Sequence, residues 1–229
     1  MLIEFRPMPK TPRFSREIVI TEKIDGTNAS VYIPPPEEAH LFARKVLAGS
    51  RTRWIEPGDD NFGFAAWVEQ NYEELLQLGP GHHFGEWWGR GIQRGNGMAE
   101  RRFSLFNVSR WLVAEVHDER VLACPPCCDV VPVIYRGPFA PDMVDIALNR
   151  LRVLGSLAAP GFEDPEGVMI YHTAAGQLFK KTFKGDEEGK SAEAHPKKER
   201  AAKPPRDPNI GGRRKANVGA PDGIERRKA

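Results

Sequence analysis

Along residues 1–190, short runs rich in apolar residues recur between polar, turn-forming residues. Such a pattern marks strands. It predicts strands over residues 17–21, 29–33, 82–88, 103–108, 110–116, 130–135, 167–172 and 177–183. These runs are β-branched or aromatic and are bounded by Gly, Pro or Asn. Most neighbours are joined by short connections, which favours antiparallel pairing over repeated βαβ units. Two stretches switch to helical spacing. In 62–78, Phe64, Trp67, Val68, Leu75 and Leu78 recur on one face, with a cap at Asp60 or Asn61 and a stop at Gly79. In 141–154, Val144, Ala147, Leu148 and Leu151 do the same before Gly155. The pattern describes an α+β domain of antiparallel sheets with flanking helices.

The pattern stops near residue 190. Residues 191–229 hold no aromatic side chain, only Ile210, Val218 and Ile224 as larger aliphatics, and five prolines. Such a segment buries too little apolar surface to offset chain entropy, so a disordered tail is expected there. Charge divides at the same place. The tail carries 11 Lys+Arg against 5 Asp+Glu, a net of +6, which leaves residues 1–190 at −4. The basic tail is therefore the part expected to attract a polyanion such as nucleic acid. With 40% hydrophobic residues the chain can form one sizeable core. No run of 18 apolar residues is present, and the N-terminal MLIEFRPMPKTPRF lacks the apolar stretch of a secretory signal. Three cysteines make no disulfide framework. These features lead to the expectation of a cytoplasmic protein that meets no membrane.

Candidate chemistry begins at Thr21-Glu22-Lys23-Ile24-Asp25-Gly26-Thr27-Asn28, where a strand ends in a lysine followed by an acid and a glycine. A lysine acts as a nucleophile only after losing its proton, which nearby cations or desolvation promote. Gly26 lets the backbone approach a ligand. Taken alone, a four-residue KxDG match is more often a surface hairpin turn. Five further segments change its weight: Gly49-Ser50-Arg51-Thr52, Phe84-Gly85-Glu86-Trp87-Trp88-Gly89 with Gly91-Ile92-Gln93-Arg94-Gly95, Phe103-Ser104-Leu105-Phe106-Asn107, Glu166-Gly167-Val168-Met169-Ile170, and Phe179-Lys180-Lys181. Together they supply a nucleophile, carboxylates, cations for phosphate and a flat ring for a base.

In this order the segments resemble motifs I, Ia, III, IIIa, IV and V of the covalent ligase and capping-enzyme superfamily. Within it, TEKIDGTN and FGEWWGRGIQRG are most similar to ATP-dependent RNA ligases of the phage RNA ligase 2 type. The resemblance spans residues 18–185 and implies an antiparallel-sheet nucleotidyltransferase domain (an ATP-grasp-like ligase adenylation domain) over 1–190, with ATP in a groove between sheets. By matched position it implies that Lys23 becomes adenylated, with Asp25 and Gly26 beside it in motif I. Glu22 takes the position that helps recognise adenine. Arg51 meets ribose or phosphate, Glu86 holds the ribose hydroxyls and Phe106 stacks on the base, while Phe103 is core. Glu166 acts at the metal or lysine side with Val168 in the same nucleotide site, and Lys180 meets the α-phosphate. The implied cofactors are ATP and Mg²⁺ or Mn²⁺. The implied reaction joins RNA 5'-phosphate and 3'-hydroxyl ends. A second motif V lysine is expected at 182, where this chain has Thr182, which leaves Lys181 or Lys184 as substitutes. The chain also has only the tail where two-domain relatives carry a further domain, so a minimal ligase or one needing a partner is expected.

Rival readings are an ATP-dependent DNA ligase, a GTP-using capping guanylyltransferase, and a fold of this type that binds nucleic acid without sealing it. Cys124-Pro125-Pro126-Cys127-Cys128 has knuckle-like spacing but lacks an evident fourth zinc ligand, so a proline-rich loop is the simpler reading. His82 and His83 fit a loop or strand edge. Arg90 and Arg94 suit nucleic-acid contact and ordinary solvation equally.

Overall fold

The computed structural model describes residues 4–42, 44–60, 62–116 and 119–185. The expected tail at 191–229 lies outside them. The described residues form two main sheets and a small hairpin, an α+β arrangement dominated by antiparallel pairs. The four-stranded sheet contains β1 (Glu17–Lys23), β10 (Val133–Pro138), β11 (Gly167–His172) and β12 (Gln177–Thr182), in the order β10-β1-β11-β12. The six-stranded sheet is built from β2 (Thr27–Ile33), β3 (Leu47–Ser50), β4 (Trp54–Ile55), β5 (Gly81–Gly89), β6 (Arg101–Leu105) and β9 (Cys128–Val130), in the order β4-β3-β2-β5-β6-β9. The hairpin pairs β7 (Leu112–Val116) with β8 (Glu119–Leu122).

The chain crosses between the main sheets twice. It leaves the four-stranded sheet through residues 24–26, between β1 and β2, and returns after β9 into β10. Each sheet has its own core. Alternation along β1 sends Ile18 and Ile20 toward helix α4 (Met143–Leu154), where they pack with Ala147, Leu148, Leu151, Val168 and Ile170. Val19 faces the other way and belongs to the larger core around Val31, Trp87 and Phe103. Helix α1 (Phe64–Gln70) stacks Phe64 and Trp67 against Trp87 and Phe103.

Several elements differ from the pattern reading. The helix expected over 62–78 is divided into α1, α2 (Tyr72–Leu75) and a 3₁₀ turn at Leu76–Leu78. Asn71 makes the break: its side-chain amide donates to the Trp67 carbonyl and its backbone leaves the helical region. The run at 103–108 ends early because the Asn107 side chain accepts from the Arg110 N–H and caps the short helix α3 (Val108–Trp111). β3, β4 and β8 were not predicted. One pair, β6 with β9, is parallel, because β9 enters only after the β7–β8 hairpin has returned the chain to the sheet edge.

Candidate active site

Lys23 is the last residue of β1, at the first crossing, so the sequence places its amine where the two sheets meet. Its Nζ lies 2.5 Å from Oε2 of Glu166, the residue just before β11, and both side chains are about three-quarters buried. The register explains the pairing, since Lys23 is opposite Gly167. Gly26 closes the crossing against β5. A Cβ there would stand 2.6 Å from the Trp87 carbonyl and 2.9 Å from Cγ of Glu86, so only glycine lets the lysine loop seat on that strand.

Glu86 rises from β5 into the same space and is 7% exposed. Asn28, directly opposite on β2, donates to it at 2.9 Å. Burial pushes the Glu86 carboxyl up to about 7, with Glu166 and Asp25 adding to the rise and Asn28 and Lys23 opposing it. A carboxyl at about 7 in the folded chain and 4.5 unfolded binds more protons when folded between those values. Its contribution to stability is therefore full below about pH 4.5 and is lost as pH rises through 7. Glu86→Gln should stabilise the chain by about 3 kcal/mol at pH 8 and by almost nothing near pH 4.5. Urea midpoints at the two pH values check this, and equal gains at both would refute it.

On the other rim, Asp25 is held by Arg94, whose Nε lies 2.6 Å from Oδ2. The same guanidinium reaches Asp164 at 2.9 Å, and Lys184 meets Asp164 at 3.2 Å. Lys184, then Arg94, hold Asp164 below the usual carboxylate range. Asn96 donates to the Asp25 carbonyl at 3.0 Å. A pocket of about 260 Å³ is lined by Asp25, Arg94, Asp164, Pro165, Glu166, Phe183 and Lys184. A hollow of about 410 Å³ beside α1 shares none of these residues.

The structure thus brings Lys23, Asp25, Gly26, Glu86 and Glu166 together. Lys180 is opposite Met169, which shares the face of Thr21 and Lys23, and Thr182 is opposite Gly167. Lys180 and Thr182 therefore face the Lys23 side of the sheet. Lys181 is opposite Val168, on the alternate side, and Lys184 is engaged with Asp164. Phe106 is 41% exposed just past β6, beside Phe84, while Phe103 is fully buried. Arg51 sits in the exposed turn after β3 and, among the described residues, makes no hydrogen bond or ion pair.

Two expectations need correction. Glu22 alternates with Lys23 and points to the α4 side, where it is 3% exposed. Its carboxylate accepts from Ser156 Oγ at 2.5 Å and from the N–H groups of Leu157 and Ala158 at 2.8 and 2.9 Å. Burial raises its carboxyl above the ordinary range, and those three bonds oppose the rise. Its carboxylate is engaged with the loop after α4, on the face opposite Lys23. Val168 shares that side and packs with α4 at no exposure. The residue of this strand on the Lys23 side is Met169. Asn28, Asn96 and Asp164 were not singled out as site residues, and Arg94 was weighed only between nucleic-acid contact and solvation. Asn28 was legible as the end of the motif I string, whereas the others needed the fold.

Glu166 and Asp25 are carboxylates in reach of the cleft, yet among the described residues no three of His, Cys, Asp and Glu gather closely enough to hold a metal alone. That sparse set suits a divalent ion that keeps most of its waters. The three cysteines are free thiols. Cys127 and Cys128 sulfurs lie 3.8 Å apart, and burial pushes Cys124 up to about 11. Among the described residues no helix is long and apolar enough to cross a membrane.

Comparison with known proteins matches the chain to RNA ligase over residues 16–184. The chain belongs to the RNA ligase family. No match appears among curated proteins. Among solved structures, a Naegleria gruberi RNA ligase variant with ATP and Mn is 14% identical, with a TM-score of 0.47, over 73% of this chain and 49% of that one. A second variant, with AMP and Mn, is 16% identical with a TM-score of 0.45, over 74% and 50%. A third, without ligand, gives 15% and 0.47 over 74% and 50%. The chain spans about half the length of these structures.

Proposed function

We propose that this chain is an ATP-dependent RNA ligase that works through a lysyl-AMP intermediate and joins 5'-phosphate to 3'-hydroxyl ends. The observation that carries the reading is the seat of Lys23: a lysine at the crossing of two sheets, paired with Glu166 and facing Glu86. Family membership makes RNA the favoured acceptor.

In the first step the Lys23 ammonium loses a proton to solvent by way of Glu166, its nearest acceptor, and the free amine attacks the α-phosphorus of ATP, its second proton passing to solvent as the P–N bond is made. A P–N bond forms and pyrophosphate leaves with the P–O bonding pair. Lys180 balances the charge that develops on phosphoryl oxygens. Glu86, held by Asn28, accepts from the ribose hydroxyls, and Phe106 stacks on adenine with Met169 in the place expected of Val168. Glu166, once free of Lys23, and Asp25 would hold a Mg²⁺ or Mn²⁺ ion, which supplies charge neutralisation when bound. An RNA 5'-phosphate then takes the AMP from Lys23, and a 3'-hydroxyl displaces it to form the phosphodiester.

Labelling with α-labelled ATP or GTP tests the first step, followed by sealing assays on nicked RNA, single-stranded RNA and nicked DNA. Sealing of DNA alone would shift the assignment to a DNA ligase. The basic tail belongs to the same reading as an electrostatic arm. Deleting residues 191–229 should weaken polynucleotide binding at low salt while sparing self-adenylation. Unchanged binding in a salt titration would discard the arm.

A further inference from the structure

The face of the six-stranded sheet that carries Glu86 also carries a row of exposed rings. Register places Trp54 opposite Gly49, Gly49 opposite Ser30, and Ser30 opposite Phe84. The Phe106 N–H donates to the Phe84 carbonyl, which sets Phe106 next in the row. Opposed residues share a face, and Glu86 lies two positions from Phe84 on β5, so the row borders the lysine cleft. His82, two positions the other way, stacks on Phe84 with ring centres 4.3 Å apart and on Trp54 at 5.5 Å and 21°. Tyr32 closes edge-on against His82.

The floor beneath these rings is small by necessity. A Cβ on Gly49 would meet Ser30 Oγ at 2.5 Å and the Trp54 ring at 3.3 Å, so the indole leans across a glycine. Phe84 remains 55% exposed and Trp54 50%. The reverse side of the same strands supplies the buried core, with Val31, Ala48, Trp87 and Phe103. A contiguous cluster of exposed rings of this kind marks a contact site. Partial burial lowers the His82 pKa. The turn joining β3 to β4 sets the exposed Arg51 two residues short of the Arg53 that Asp59 holds at 2.9 Å. A flat apolar surface next to a cation that pairs with none of the described residues is complementary to unpaired bases on a phosphate backbone.

We propose that Trp54, His82 and Phe84 form a stacking platform for unpaired bases of the RNA strand, with Arg51 meeting its backbone. This rests on the ligase reading for its choice of polymer. The platform continues outward from Phe106, so a strand lying on it leads its end toward Lys23.

Fluorescence anisotropy of the full chain, with a short oligo(A) RNA and an abasic ribose-phosphate strand of equal length, tests it. The wild type should prefer the base-bearing strand by about tenfold or more. Trp54→Leu and Phe84→Leu should each remove most of that preference and leave the affinity for the abasic strand unchanged, while Trp54→Phe should retain it. Equal affinity of the wild type for both strands would overturn the platform, as would leucine variants that lose both strands alike. The wild-type comparison and Trp54→Phe decide the matter even if the leucine variants fail to fold. Label transfer from ATP is read on the same preparation. A chain that labels but ignores bases loses the platform alone, and one that prefers bases but never labels loses the ligase reading.

Discussion

Given ATP labelled at the α-phosphate and a divalent ion, the wild-type chain should acquire covalent label, and Lys23→Ala should acquire none. The expected drop is at least about a thousandfold, to background, because the alanine removes the only atom to which AMP is proposed to attach. Lys23→Arg sharpens the experiment. A guanidinium keeps a positive charge against Glu166, so the partly buried carboxylate retains a partner, but it remains protonated and cannot attack. An arginine variant that folds and carries no label locates the defect in the chemistry. The bond itself is diagnostic, since a phosphoramidate hydrolyses in acid and survives alkali, unlike an acyl phosphate or a phosphate ester. GTP should give no label. Failure to label with either nucleotide would remove the enzymatic reading, and label that persists in Lys23→Ala would move the nucleophile elsewhere.

Glu22 is the site of the second large effect, and the expected result separates the two roles it has been given. Glu22→Ala leaves the Ser156 hydroxyl and two buried N–H groups without their acceptor. Each unsatisfied buried donor costs about 1–3 kcal/mol, so a loss of about 3 kcal/mol or more is expected in urea unfolding. Glu22→Gln should cost less than about 1 kcal/mol. Its oxygen can accept from Leu157 and Ala158, and its amide can donate to Ser156 Oγ. If Glu22 instead read the adenine edge, the glutamine variant would fold as well as wild type but lose its preference for ATP over GTP. Unchanged nucleotide preference with the stated stability order supports the loop-holding role.

Which of these residues could be read from the chain follows from what each depends on. Lys23, Glu86 and Glu166 were legible as candidates because each sits inside a dense string whose spacing is local. The face on which a residue lies is also local in principle. Glu22 and Lys23 are adjacent in a strand, so they cannot both serve one cleft, and the same parity separates Val168 from Met169. Motif matching overlooked that rule, and the register restores it. The Arg94 contacts with Asp25 and Asp164 were illegible, since they join residues about 70 apart through the fold of the β5–β6 connection. Boundaries failed where a polar side chain competed with the backbone pattern, as at Asn71 and Asn107. Short strands such as Leu47–Ser50 carry too little alternation to register at all. Phe103 and Phe106 illustrate the opposite case: three residues apart, they take opposite faces, and burial sorts core from surface.

The β1–β2 crossing has a mechanical meaning. Residues 24–26 join two sheets that share part of one core through Val19, and Lys23 is the last strand residue before the crossing. Lys23 and Glu86 therefore belong to different sheets. On the proposed reading, a nucleotide bonded to Lys23 would be attached to the four-stranded sheet while its ribose meets the six-stranded one. Arg94, clasping Asp25 at the crossing and Asp164 ahead of β11, ties the β5–β6 connection to both, so the relative placement of the two carboxylates that flank the cleft is set by one side chain.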